Sequence, residues 1–324
     1  MRSLRILLCC LTLWCTALPA AYAQAYPAKP VRIIVPFPAG GGVDVLIRSV
    51  AAELSVRWGQ PVIIDNRGGA GSLIGAEAVA RATPDGYTLL ATINQTLTSN
   101  RFLYKSLPYD PDKSFAPVSL MTTSDQFLIA NPAVAAKDLR ELVALARARP
   151  GGLAYGSFGN GSQPHLVYAL LQAKAGLELT HVPYKGVAPV VTGLLGGEIQ
   201  LSTGSASVAG QLLKAGKVKA LAVAGSKRSS LFPDVPTTAE QGYPQLRAAV
   251  WYALVAPAGT PEPVIARIAA DVKAILEDPG FAEKNATSRG LEVNAGGPAE
   301  LRQAIRDDVA VVREMVKAAG VTPE

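Results

Sequence analysis

Two glycine-rich loops, far apart in the chain, share one local design. The first is PFPAGGGVD at 36–44 and the second is YGSFGNGS at 155–162. Each follows a short run typical of a β-strand and precedes residues with helical spacing. A glycine-rich turn between a strand and a helix directs unpaired backbone N–H groups, and the positive end of the helix dipole, at one point. Each loop therefore predicts an anion-binding point, and the pair predicts a receptor that holds a small acid between two lobes.

The first residues have the features of a secretory signal peptide. Arg2 and Arg5 precede an apolar run over 6–18, and Ala21-Tyr22-Ala23 matches a cleavage site. The alternative is an N-terminal anchor helix, for which the apolar run is short. We expect a signal peptide over 1–23, cleavage after Ala23 and a periplasmic product.

The composition excludes several classes of site. All three cysteines lie in the predicted signal peptide, and the two histidines are His165 and His181. We therefore expect no disulfides, no Cys/His metal cluster and no cofactor. A calcium or magnesium site built from carboxylates alone is still compatible with the composition, but no D-x-D-x-D-G loop is present, so we expect no metal. The net charge of +6 comes from scattered basic residues, which argues against a nucleic-acid partner. No nucleotide-binding glycine motif of the Rossmann or P-loop type occurs.

Strand and helix patterns alternate along most of the chain. Strands predicted at 31–35, 61–64 and 87–91, with helices between them at 44–58 and 72–82, form a β-α-β-α-β unit with a parallel sheet. A second unit follows, with strands predicted at 153–155, 179–182, 199–201 and 220–223 and helices at 138–149, 164–175, 187–195 and 208–215. The C-terminal part is mostly helical, with helices predicted at 262–276 and 298–319.

Two extended stretches, 115–132 and 250–255, have the pattern of crossings between lobes. If both cross, lobe one is discontinuous, 24–123 plus 250–324, and lobe two is 124–249. Paired crossing strands between two α/β lobes would act as a hinge that closes around a ligand. We expect a monomer.

Seven motifs stand in an order that resembles a known family. They are PFPAGGGVD (36–44), DNRGGAGSLIGAE (65–77), PDGYTLL (84–90), YGSFGNGSQPHL (155–166), HVPYKG (181–186), PDVPTTAEQG (233–242) and APAGTP (256–261). The chain closely resembles the extracytoplasmic solute receptors of tripartite tricarboxylate transporters, of the Bug type. The resemblance implies an α/β, two-lobe periplasmic binding protein (type II, Venus-flytrap) with a parallel-type sheet in each lobe and a two-strand hinge. It also implies no catalysis, and a small carboxylate-bearing cargo delivered to membrane permease subunits.

The resemblance also implies which residues form the site. Backbone groups of the two glycine-rich loops would hold the ligand carboxylate, and three further segments would select the rest of the ligand. The first loop contributes Phe37, Ala39, Gly40, Gly41, Gly42 and Asp44, the second contributes Ser157, Gly159, Asn160, Gly161, Ser162 and His165, and the selecting segments contribute Asn94, Gln95, Thr96, Tyr184, Thr203 and Ser205. The loops contain no arginine clamp, which favours a site of amides and dipoles over a salt bridge.

Several of these residues have a second interpretation. Asp44 could cap its helix, accept a ligand ammonium group or order a loop water. Ser162 could be a ligand donor or a helix cap, and His165 could be a packed histidine. Lys185, beside a predicted loop, is interpreted as a solvated surface lysine.

The sequence also leaves the solute and the biological role open. Dicarboxylates, tricarboxylates, amino acids and aromatic acids all fit the loops. The liganded form could serve a membrane sensor instead of a permease. An exported serine hydrolase is a further alternative, with Ser157, Ser162 or Ser205 as nucleophile and His165 or His181 as base, although no serine lies in a G-x-S-x-G motif.

Overall fold

The computed structural model describes residues 26–323, so the predicted signal peptide lies outside the described residues. The strands are β1 (Val31–Val35), β2 (Val62–Asn66), β3 (Thr88–Ile93), β4 (Phe115–Ala130), β5 (Ala154–Ser157), β6 (Thr180–Pro183), β7 (Leu201–Ser205), β8 (Lys219–Val223), β9 (Ala249–Pro257) and β10 (Glu292–Gly296). The helices are α1 (Gly42–Trp58), α2 (Leu73–Ala80), α3 (Asn94–Leu97), α4 (Asn100–Leu103), α5 (Leu139–Ala148), α6 (Gln163–Ala175), α7 (Val187–Gly196), α8 (Ala206–Lys214), α9 (Glu262–Leu276), α10 (Pro279–Asn285) and α11 (Pro298–Ala319).

The first part of the sheet contains the predicted β-α-β-α-β unit. β1 lies between β2 and β3 and is parallel to both. β9 then pairs antiparallel with β3, β4 pairs antiparallel with β9, and β10 adds a further antiparallel pair with β4. The parallel strands confirm the alternation read from the sequence, and the antiparallel strands make this sheet mixed.

The second part of the sheet begins on the same strand. β5 is parallel to β6 and to β7, whereas β7 and β8 pair antiparallel with β4. β4 pairs with β9 as far as Asp125, and from Gln126 onward it pairs with β7. The extended stretch predicted over 115–132 is therefore one strand that belongs to both parts of the sheet.

Hydrophobic side chains cover both faces of each part. In the first part, α1 packs Leu46, Val50 and Leu54 into the same buried cluster as Val31 and Ile33 of β1. Each of these side chains is at most 1% exposed. In the second part, α5 and α6 pack onto β4, β5, β7 and β8, while α7 and α8 cover the opposite face. Two such sandwiches on one shared strand form the α/β two-lobe architecture of a periplasmic binding protein.

The C-terminal helix contacts both parts of the molecule. Leu301, near the start of α11, is buried in a cluster with strands of the first part, whereas Met315, near its end, is buried with α6. Lys174 of α6 also lies 2.7 Å from Glu314. We propose the lobe boundaries given above, with the addition that the last turns of α11 pack on lobe two.

The helix predicted over 72–82 makes Ser72 its candidate N-cap, and Ser72 does occupy the N-cap position of α2, but its side chain does not cap the helix. Ser72 makes no capping hydrogen bond and adopts a left-handed φ of 82°. Its side chain instead lies in the interior, where Ser72 Oγ accepts hydrogen bonds from Thr96 Oγ1 and from Asn100 Nδ2.

No helix within residues 26–323 has the length and apolarity needed to span a bilayer.

We predict that Gly42→Ala destabilises the protein while Gly41→Ala does not. A Cβ on Gly42 would lie 2.2 Å from the hydroxyl of Tyr252, a buried residue of β9. A Cβ on Gly41 would meet only Pro38 O, at 3.6 Å. Overpacking of this kind costs about 1–3 kcal/mol, and thermal unfolding of the two variants measures it. Adding Tyr252→Phe to Gly42→Ala should restore most of the loss; a loss that persists would contradict a hydroxyl clash.

Candidate ligand-binding site

A cavity of about 840 Å³ lies between the two parts of the sheet. Its walls come from α3 and α4 of the first part, from the starts of α6, α7 and α8 of the second part, and from β4, β9 and the last turns of α11. The cavity therefore occupies the position expected for a ligand held between two lobes.

Seven of the predicted site residues line this cavity: Asn94, Gln95, Asn160, Gly161, Ser162, His165 and Ser205. The others lie outside its lining: Phe37, Ala39, Gly40, Gly41, Gly42, Asp44, Thr96, Ser157, Gly159, Tyr184 and Thr203. The first glycine-rich loop is connected to the cavity through Tyr252, which lines it and lies against Gly42. The role of this loop in holding a ligand stays a prediction.

Three helix N-termini of the second side reach the cavity. β5, β6 and β7 are joined in parallel, so their carboxyl ends lie at one edge of the sheet, and α6, α7 and α8 begin there. Ser162, Val187 and Ser205 bring the three helix starts to the cavity wall. Aligned helix starts carry unpaired N–H groups and positive partial charge, so this edge favours a bound anion.

Side chains of the second glycine-rich loop fix the loop itself. Ser162 Oγ donates to Gly159 O over 2.6 Å, and His165 Nδ1 accepts from Gly161 N–H over 3.0 Å. Ser157 Oγ contacts both backbone polar groups of Gly159. Ser162 is thus at the cap position without a capping bond to its helix. This network holds the backbone turn in which Gly159 and Gly161 have positive φ.

The two histidines of the chain form a stacked pair behind this loop. The rings of His165 and His181 are parallel, with centroids 4.2 Å apart, and His181 stacks in turn on Tyr155. Burial lowers the pKa of His165, and burial together with the neighbouring His165 lowers the pKa of His181 to about 4. Both imidazoles are therefore neutral at neutral pH.

His181 Nε2 lies 2.6 Å from Ser157 Oγ, which is the contact that a serine hydrolase would need. Ser157, however, is 0% exposed and its hydroxyl also contacts the backbone of Gly159. No acidic side chain within residues 26–323 hydrogen-bonds to His181. A fully buried hydroxyl cannot reach a substrate carbonyl, and a histidine without an acidic partner is not oriented as a base. The contact between Ser157 and His181 therefore stabilises the loop.

Asp44 orders the first glycine-rich loop from within. Its carboxylate is 2% exposed and accepts hydrogen bonds from Gly40 N–H, Arg48 and Asn66. Burial alone would raise the pKa of Asp44, but these hydrogen bonds and the Arg48 charge lower it below its usual range. All three donors belong to the protein itself, so Asp44 orders the loop directly, a role that is not among the three predicted from the sequence.

The segment after β3 forms two short helices, α3 and α4, where the sequence predicted a loop. Thr96 is fully buried and its hydroxyl bonds to Thr92 and Ser72. Asn94 Nδ2 donates to Ala249 O and to Asp308. Only the Oδ1 of Asn94 therefore remains for a ligand, and it can only accept a hydrogen bond.

Tyr184 and Thr203 face inward, away from the cavity lining. The Tyr184 ring lies against Gly156 and Gly193, and Thr203 Oγ1 donates to Gln163 Oε1 over 3.1 Å. Lys185 is exposed and does not line the cavity.

The cavity-wall residues missed from the sequence include Ser124, Gln163, Arg247, Tyr252 and Asp308. None of these five lies in a glycine-rich loop, although Gln163 directly follows one. The Nε2 of Gln163 and the hydroxyl of Ser124 are buried and have no hydrogen-bond partner within residues 26–323. Burial raises the pKa of Asp308, while hydrogen bonds from Thr98 and Asn94 oppose that rise. Both groups are therefore buried donors available to a bound acceptor.

A family model described as the tripartite tricarboxylate transporter family receptor matches residues 46–321. The chain belongs to this family. It is 37% identical over 297 residues to protein BugT of Bordetella pertussis, a match that covers 90% of this chain and 91% of BugT. Members of the family are solute-binding receptors of the periplasm.

Solved structures of similar proteins agree with the fold. An R. palustris protein determined with adipate is 33% identical, with a TM-score of 0.79 over 92% of this chain and 100% of its own. MatC from Rhodopseudomonas palustris, with bound malate, is 33% identical, with a TM-score of 0.74 over 90% of this chain and 100% of its own. The family and the two-lobe fold predicted from the motifs are confirmed.

We predict that the histidine pair makes folding stability sensitive to acid. The folded-state pKa values lie below the unfolded value of 6.5, so the unfolded chain takes up protons first and stability falls as the pH drops from about 6.5 towards 4. Melting temperature measured against pH should therefore decline more steeply for the natural protein than for His181→Gln. Parallel curves for the two proteins would contradict a contribution from His181.

Proposed function

We propose that this chain is a monomeric periplasmic receptor that binds a small carboxylate-bearing solute in the cavity and delivers it to the permease subunits of a tripartite carrier. The observation that carries the proposal is the meeting of three helix starts, those of α6, α7 and α8, at one wall of the cavity. Carboxylates bind well at such positions because several N–H groups and dipoles act together.

Gln163 supports an anion at this wall. It is the first residue of α6, it lines the cavity, and its Oε1 is already used by Thr203. The amide nitrogen Nε2 therefore faces its surroundings as a buried donor without an acceptor. Leaving such a donor unpaired costs about 1–3 kcal/mol, which a ligand oxygen would recover.

The relatives support a carboxylate as the class of solute. The two R. palustris structures contain adipate and malate, and both are organic acids. The family description, which names a transporter receptor, supports delivery to a permease. The mechanism is closure: the ligand bridges two lobes joined at β4 and β9, and the closed form presents a new surface to the membrane partner.

The proposal is tested by ligand-dependent melting. Protein refolded without ligand is heated with a panel of dicarboxylates, tricarboxylates, aromatic acids and amino acids. A ligand that binds only the folded state adds about 2.7 kcal/mol of stability at a hundred times its Kd. A shift confined to acids of one class supports the receptor. No shift with any acid, together with labelling by a fluorophosphonate probe, would replace it with the hydrolase.

Gln163→Glu gives a sharper test at the helix start. The substitution keeps the shape and the bond from Thr203, and a negative charge at a helix N-terminus stabilises the helix. We expect an unchanged or higher melting temperature without ligand, and carboxylate binding at least about tenfold weaker by calorimetry. Gln60→Glu, outside the cavity lining, adds the same charge and serves as control. Equal affinities for the two variants would place the carboxylate elsewhere.

A further inference from the structure

Arg247 projects into the cavity from a fixed piece of backbone. Leu246 N–H donates to Tyr243 O over 3.1 Å, and Ala248 N–H donates to Ala224 O over 2.8 Å. Leu246 is 0% exposed and Ala248 is 7% exposed, whereas the intervening Arg247 is exposed and lines the cavity. β9 begins two residues later, so this cation lies where the chain crosses between the two parts of the sheet.

The charge of Arg247 is not used inside the protein. Within residues 26–323 Arg247 forms no ion pair and no hydrogen bond, and it is the one lysine or arginine among the described residues that line the cavity. Asp308 is the one acid of that lining, and it is engaged by Thr98 and Asn94 rather than by Arg247. The cavity therefore contains a free guanidinium group in addition to the helix starts.

Ser124 adds an unused donor near the same crossing. Ser124 of β4 is the register partner of Val250 of β9, and both side chains line the cavity. The serine is 1% exposed and its hydroxyl has no hydrogen-bond partner among the described residues. Arg247 lies three residues before Val250 in the chain, so Arg247 and Ser124 both line the cavity where β4 and β9 cross.

We infer that Arg247 and Ser124 form a second acceptor-binding subsite, distinct from the helix starts, and that the receptor selects acids with two carboxylate ends. This inference rests on the proposed function, because it assumes that the first carboxylate lies at the starts of α6, α7 and α8. A guanidinium group offers only donors and stays charged at all working pH values, so its partner is an anionic oxygen and not an ammonium group. Lobe closure would strengthen the pair by removing water.

The test compares acids that differ only in the second carboxylate. Glutarate with pentanoate, and adipate with hexanoate, are titrated by calorimetry into the ligand-free natural protein and into Arg247→Gln. We expect dicarboxylate binding to weaken about tenfold to a hundredfold in the variant, the range for losing a charge-assisted hydrogen bond. Binding of the monocarboxylates should stay unchanged. Arg247→Lys should recover part of the loss, and Ser124→Ala should cause a smaller, equally selective one.

Lys185→Ala is the charge-matched control, because Lys185 is exposed beside lobe-two loops but does not line the cavity. It should leave all four affinities within about threefold. Equal weakening of mono- and dicarboxylates in Arg247→Gln, or no weakening, would overturn the second subsite while the receptor function stands. A natural protein that binds none of the four acids, nor any acid of the wider panel, would overturn the receptor function itself.

Discussion

The antiparallel pairing of β4 with β9 is the constraint on which the rest of the structure depends. β4 pairs with β9 up to Asp125 and with β7 from Gln126 onward, so one continuous strand serves both parts of the sheet. Ala248 bonds to Ala224 on the second side, and Ala249 pairs with Asp125 on the first. Because both crossings lie side by side, the segment after β3 and the starts of α6, α7 and α8 face a common cavity. A small rotation at this crossing changes the width of the cavity without breaking either core.

The two glycine-rich loops are held by different means. The first loop is ordered by the buried Asp44 carboxylate, whose partners Gly40, Arg48 and Asn66 are all internal. The second is ordered by the hydroxyls of Ser157 and Ser162 and by the neutral His165. None of these hydrogen bonds in the second loop involves a charged side chain. The positive potential there comes from backbone groups and helix dipoles, which cost no reorganisation when a carboxylate arrives.

The sequence predicted much of the fold because interactions between residues close in the chain determine many of its strands and helices. The strands β1, β2 and β3 and the helix α1 follow from hydrophobic spacing and from Gly59 as a left-handed C-cap. The helices α3 and α4 and the strand β10 were missed. They are short, and contacts with distant segments determine whether they form. One such contact is the hydrogen bond that Thr98, at the end of α3, donates to Asp308 of α11. The cap assigned to Ser72 was wrong because Thr96 and Asn100 draw that hydroxyl into the interior.

The sequence by itself determined the family, the α/β lobes and the glycine-rich turns that precede α1 and α6. Each of these follows from ordered motifs or from neighbours along the chain. Only the tertiary structure decided which side chains face the cavity. In the folded chain Thr96 and Thr203 face inward, and Ser124, Arg247 and Asp308 line one cavity, although 184 residues separate Ser124 from Asp308. Such convergence depends on long-range strand pairing and helix packing, and short-range patterns carry no signal for it.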